Sequence, residues 1–213
     1  NYCVFTVMAD EPHSVCKSIM MHGITCVLDQ MMIKGFVLPE QTFVAIFNAL
    51  NAVYAASDSF LVEEQMLKFV YAVYKFHNYD LKKVGDGVVL SFLENMICED
   101  DAATLLYLQV LLAILAQTAI PSPEIFKHLC VHYTSFAFSR TSQVLYAEVM
   151  CRFLESDKHR DEYKRIIKTY YECLELQCMA YVKYILVHTS LFDKCRLYIT
   201  ENADQWTRDE LRE

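Results

Sequence analysis

The sequence predicts an all-α chain, and three observations carry that expectation. Only four glycines and four prolines occur in 213 residues, too few turn formers for a sandwich, a barrel or a nucleotide-binding α/β sheet. Apolar residues recur at helical spacing along almost the whole chain. Where one periodic stretch stops and the next begins, proline, serine, aspartate or glycine stands in a capping position. With 54% hydrophobic and 22% charged residues this is a folding sequence, long enough to form a core without disulfides or a structural metal.

A first helix is predicted over 13–34, with Val15, Ile19, Ile24, Val27, Leu28 and Met31 as its apolar positions and Gly23 as a candidate break. Gly35 suits its C-terminal cap. Pro39 suits the first turn of a second helix, where a missing N–H is harmless, and Glu40 complements the helix dipole. Phe43, Ile46, Phe47 and Leu50 form the buried stripe of that helix. A third follows through Leu61, Met66, Phe69, Val70, Val73 and Tyr74, ending in a loop over 78–87.

Asp86 is then read as the cap of a fourth helix through Val89, Phe92, Leu93 and Met96, and Asp100 or Asp101 as the cap of a fifth through Leu105, Leu108, Leu111, Leu112 and Leu115. The fifth is apolar nearly all round, which places it centrally. Ser122-Pro123-Glu124 combines a serine cap, a proline at the first helical position and a carboxylate in the first turn. Ser139 or Thr141 opens the next helix, with Val144, Leu145, Val149 and Phe153 inward. Beyond it, 161–188 reads as one long helix or two, 191–199 as a short packing helix, and 203–213 as a charged helical tail after a single domain over 1–202. The start at Asn1 and the charged end suggest an excerpt of a longer protein.

The helix starts also carry a period. Pro39 and Pro123, each followed by glutamate and opening a helix, lie 84 residues apart, twice 42, with the start near Asp86 between them. Consecutive helices joined by short loops bury their faces in a stacked solenoid or in a compact bundle. Over 93–156 the residues resemble an armadillo/HEAT-type α-solenoid. Glu94-Asn95-Met96-Ile97-Cys98-Glu99-Asp100-Asp101 followed by Leu105-Leu106-Tyr107-Leu108-Gln109-Val110-Leu111 is similar to the acidic turn and long inner helix of such a repeat, and 140–155 resembles another. The resemblance implies a right-handed solenoid that acts as a scaffold, since such repeats usually bind peptides, helices or other solenoids and rarely catalyse. Met31 to Phe43 resembles, more locally, the junction of a pentatricopeptide repeat, and Val44 departs from it where that family places a polar base-reading residue.

Chemistry leaves few candidates. His128 and His132 share a helix face with Cys130 between them, a spacing that binds zinc if ligands such as Cys173 and Cys178 arrive from elsewhere; the glutamate of a zinc hydrolase helix is missing. Gly85-Asp86-Gly87 lacks the pattern of a phosphate loop, and no nucleophile elbow occurs. The expectation is therefore a chain without cofactor, metal or catalytic residues. The nine cysteines sit mostly in apolar periodic stretches and read as reduced core residues of an intracellular protein. A net charge of −8 disfavours general affinity for nucleic acid or anionic membranes.

Binding is expected in the C-terminal third. Lys158, Arg160, Lys164, Arg165 and Lys168 form a basic strip, and Tyr171, Tyr181 and Tyr184 fall off the core stripe of Tyr163, Ile166, Ile167, Tyr170 and Leu174. These residues suit a protein partner or adjoining repeats of the parent chain, in the nucleus or cytoplasm. The alternative is a pentatricopeptide-like module contacting RNA or single-stranded nucleic acid through the basic strip.

Overall fold

The computed structural model describes residues 7–8, 10–57, 59–117, 122–132 and 139–154. Among them the regular structure is helical throughout, as the sequence predicts: α1 (Ser14–Ile33), α2 (Glu40–Ala55), α3 (Phe60–Tyr74), a 3-10 turn (Val84–Gly87), α4 (Val88–Asn95), α5 (Asp101–Gln117), α6 (Pro123–Val131) and α7 (Arg140–Leu154). The most extensive contacts join alternate helices: α1 lies on α3, α3 on α5 and α5 on α7, while α2 lies against α3 and α4 against α6. Placed between α3 and α7, α5 buries Ala103, Thr104, Tyr107, Leu108, Val110, Leu111 and Ile114. Its apolar circumference is used on two sides, in agreement with the central position expected of it.

Local chemistry accounts for most helix ends. Gly35 takes a positive φ of 87°, its N–H donates to the Met32 carbonyl and that of Phe36 to the Met31 carbonyl, which satisfies two orphan acceptors at the end of α1. Pro39 precedes α2, and its carbonyl accepts from the Phe43 N–H. Asp100 Oδ2 accepts from the N–H groups of Ala102 and Ala103, a side-chain cap on α5. At the start of α7, Ser139 Oγ accepts from the Ser142 N–H, while the Ser142 hydroxyl donates to Asp101 Oδ1 at 2.6 Å. That last bond ties the openings of α5 and α7 together and holds the Asp101 carboxyl below its usual pKa.

Four expectations need correction. Gly23 does not break α1, which runs on through it, because an isolated glycine weakens a helix without ending it. Asp86 is no cap: it adopts a left-handed φ of 55° inside the 3-10 turn, and Gly87, at φ 80°, precedes α4. Gly85 in that turn is packed so closely that an added Cβ would sit 2.9 Å from Val88 and 3.0 Å from Val44. Ser122 precedes α6, but its hydroxyl donates to Glu124 Oε2 at 2.7 Å and accepts no capping bond from the backbone. Finally, α1 does not bury the stripe read from its apolar residues, as described below.

An aromatic cluster holds the first half. Phe43 packs against Phe47, Phe69, Tyr74 and Tyr79, the last nearly parallel at 5.3 Å between centroids, and Phe47 meets Phe92 edge-on. The same region pins the α1–α2 loop: the Leu38 N–H donates to His77 Nε2, and the Tyr79 hydroxyl donates to the Leu38 carbonyl. Residues after α3 thereby clamp a loop about one helical hairpin earlier.

Candidate interaction surface

Helix α1 turns the wrong face inward by the usual pattern. Its buried line includes Lys17, Met21, Thr25 and Met32. Lys17 is 7% exposed and reaches Ser57 Oγ at 3.4 Å, and Thr25 Oγ1 donates to the Met21 carbonyl at 3.0 Å. The lysine stem supplies apolar cover to the interface while its amine finds a hydroxyl at the margin. Four of the residues expected inside lie outside: Val15 is 55%, Ile19 64%, Val27 60% and Met31 38% exposed.

These residues fall at intervals of four with Gly23, so Val15, Ile19, Gly23, Val27 and Met31 form one continuous row along the helix. Beside that row lies an open groove of about 420 Å³, lined by Met20, Gly23, Ile24, Val27, Leu28 and Ile46 of α2. Its walls are almost wholly apolar, so it offers shape and hydrophobic area with no convergent polar groups to orient a small polar ligand. Ile33, Phe36 and Val37 extend the exposed apolar surface past the end of α1. Gly23 is exposed, and an added Cβ there would meet nothing within 4 Å. The fold therefore does not require glycine at a position where it weakens the helix by roughly 0.8–1.0 kcal/mol relative to alanine.

Other candidate chemistry is used internally. His128 is buried, and its Nε2–H donates to the Met96 carbonyl at 2.7 Å; burial, with His132 nearby, lowers its pKa against the opposing pull of that carbonyl. The two histidine rings lie 4.8 Å apart, yet no group of three or more His, Cys, Asp or Glu side chains suited to a metal occurs among the described residues. Cys173 and Cys178 lie outside them. Cys98 is buried beside Glu63, and burial first, then that carboxylate, pushes its thiol far above the ordinary range. Glu63 is itself raised, chiefly by burial. A thiol held protonated is a poor nucleophile, so this pair reads as packing.

The basic strip Lys158, Arg160, Lys164, Arg165 and Lys168 and the tyrosines Tyr171, Tyr181 and Tyr184 also lie outside the described residues, as does the tail over 203–213. The α1 row is the surface that pattern reading missed. A signal was present in the sequence: α1 carries apolar residues on more than one side while Lys17, Ser18 and Thr25 interrupt the alternative face, so periodicity by itself does not choose which side is buried. No helix among the described residues is long and apolar enough to cross a membrane. The chain matches no protein-family model, no curated protein and no solved structure.

Proposed function

We propose that this chain is a right-handed, armadillo/HEAT-like α-solenoid that works as a non-catalytic protein-docking scaffold in a larger intracellular assembly. The observation that carries the reading is the row α1–α3–α5–α7. Its helices begin at residues 14, 60, 101 and 140, spacings of 46, 41 and 39, close to the roughly 40–47 residues of armadillo and HEAT repeats. Helices α2, α4 and α6 alternate with them along the chain, as the second helix of each repeat does. A bundle whose central helix touches all others would not favour alternate contacts in this regular way. The open apolar row of α1 supplies a surface on which a helical partner fits.

The test is affinity purification of the tagged chain from cell extract with and without nuclease, read by mass spectrometry. Stoichiometric protein partners that resist nuclease, and that are lost with the Ile19→Glu/Val27→Glu variant, are the expected result. Charge reversal at Lys164 and Arg165 with Tyr184→Ala examines the C-terminal strip in the same assay. Loss of all partners on nuclease treatment would move the function to nucleic-acid binding and overturn the scaffold reading.

A further inference from the structure

We propose that the exposed row of α1 is a self-complementary interface, and that its occupant is α1 of a second copy of this chain, crossing antiparallel at Gly23. This deepens the docking reading and rests on it. The row is symmetric about its glycine: Ile19 and Val27 stand four residues to either side, and Val15 and Met31 eight. A two-fold axis through Gly23 therefore sets Ile19 of one copy against Val27 of the other, twice, which is what an isologous contact demands. The open apolar groove beside the middle of this row, lined by Met20, Gly23, Ile24, Val27, Leu28 and Ile46, leaves room there for side chains of a partner helix.

Three further features favour a second copy. An added Cβ at Gly23 meets nothing within 4 Å among the described residues, so close approach of another backbone explains a residue that otherwise only weakens the helix. The antiparallel register carries Lys34 at one end of α1 toward the end where the partner has Asp10 and Glu11, all of them outside the buried core, and opposes the two helix dipoles. The pairing also covers the four exposed apolar side chains of the row, Val15, Ile19, Val27 and Met31, on both copies at once.

Sedimentation velocity and light scattering on the 213-residue chain, in reductant because Cys16 and Cys26 are exposed, test the proposal. The expected species is a dimer of the 24.8 kDa chain that dissociates on dilution. Ile19→Glu/Val27→Glu should weaken dimerisation at least about 100-fold while leaving the helical circular dichroism intact, because both side chains are exposed in the monomer. Gly23→Ala should weaken it roughly 10-fold while raising the thermal midpoint of the diluted monomer, two effects of opposite sign that a general loss of folding cannot produce. Val37→Glu, 71% exposed and outside the row, should leave the row contact in place and dimerisation within about threefold.

A wild-type chain that stays monomeric, a dimer that survives the double substitution, or association weakened equally by Val37→Glu would each overturn the proposal. A monomer that still captures a different protein through Ile19 and Val27 would remove self-association and leave the docking reading standing. Indifference of both assays to the row would remove both.

Discussion

Helices α1 and α5, of 20 and 17 residues, are the two longest helices of the described residues, and they are used in opposite ways. Helix α5 lies between α3 and α7 and buries Tyr107, Leu108, Val110 and Leu111 almost completely. Helix α1 has its most extensive contact with α3, buries Lys17 and Thr25, and leaves Val15, Ile19 and Val27 outside. Apolar residues on more than one side thus give a core helix in one place and an open surface in the other. Apolar residues state a demand for burial, and the number of neighbours decides whether the same chain meets it.

The comparison is broken most decisively by truncation. Leu111→Ala should cost about 2–5 kcal/mol of unfolding free energy, since it opens a cavity between covered faces, whereas Ile19→Ala should stay within about 0.5 kcal/mol in the dilute monomer. Urea denaturation of both variants measures the difference, and equal costs would show that α1 is covered as α5 is.

Hydroxyl removal sharpens the contrast inside the core. The buried Tyr107 hydroxyl donates to the Leu93 carbonyl at 2.9 Å, so Tyr107→Phe strands an acceptor and should cost about 1–3 kcal/mol. The Tyr74 hydroxyl is buried with no hydrogen-bond partner among the described residues, and Tyr74→Phe should be neutral or stabilising by up to about 1 kcal/mol. Asp100→Ala comes next, at about 1 kcal/mol, because it uncaps α5 and frees the N–H groups of Ala102 and Ala103. Comparing its midpoint with that of Asp100→Asn, which retains a capping oxygen, isolates the cap from the charge.

The smallest effect is one of pH. Burial lowers the pKa of His128 and of His77, whose Nε2 accepts from the Leu38 N–H. For a group depressed in the folded state the unfolded chain takes the proton first, so the stability from each neutral ring is complete above about pH 6.5 and is lost as pH falls through the folded pKa. Glu63 and Glu94, raised chiefly by burial, act in the opposite sense at lower pH, where protonation relieves them. Unfolding free energies between pH 7.5 and 5.5 should therefore decline in the wild type and decline less in His128→Gln; equal slopes would remove His128 from the account.

Where local chemistry sets a boundary, the sequence is legible. Gly35 ends α1, Pro39 and Glu40 begin α2, Asp100 caps α5 and Ser139 opens α7, because each acts on backbone groups a few residues away. Ser122 and Asp86 mark their helix starts correctly yet play other parts there: the Ser122 hydroxyl is taken by Glu124, and the 3-10 turn twists Asp86 into a left-handed conformation. The candidate surface is legible only as an ambiguity, because α1 carries apolar residues on more than one side. Charge and aromatic content point instead to Lys158, Arg160, Lys164, Arg165, Lys168, Tyr171, Tyr181 and Tyr184, while the open row on α1 has the spacing of an inward stripe.

The sequence by itself determined that the described residues are helical, where most of their helices start and stop, and which of them is apolar enough to lie centrally. Those properties follow from spacing, caps and side-chain volume, all of which act within a helix or at its ends. Only the tertiary structure decided which side of α1 meets α3, that Lys17 rather than Ile19 is covered, and that Gly23 faces open space. A helix with apolar residues on two sides has two nearly equivalent ways to dock, and the shape of its neighbour, not its own periodicity, breaks the tie.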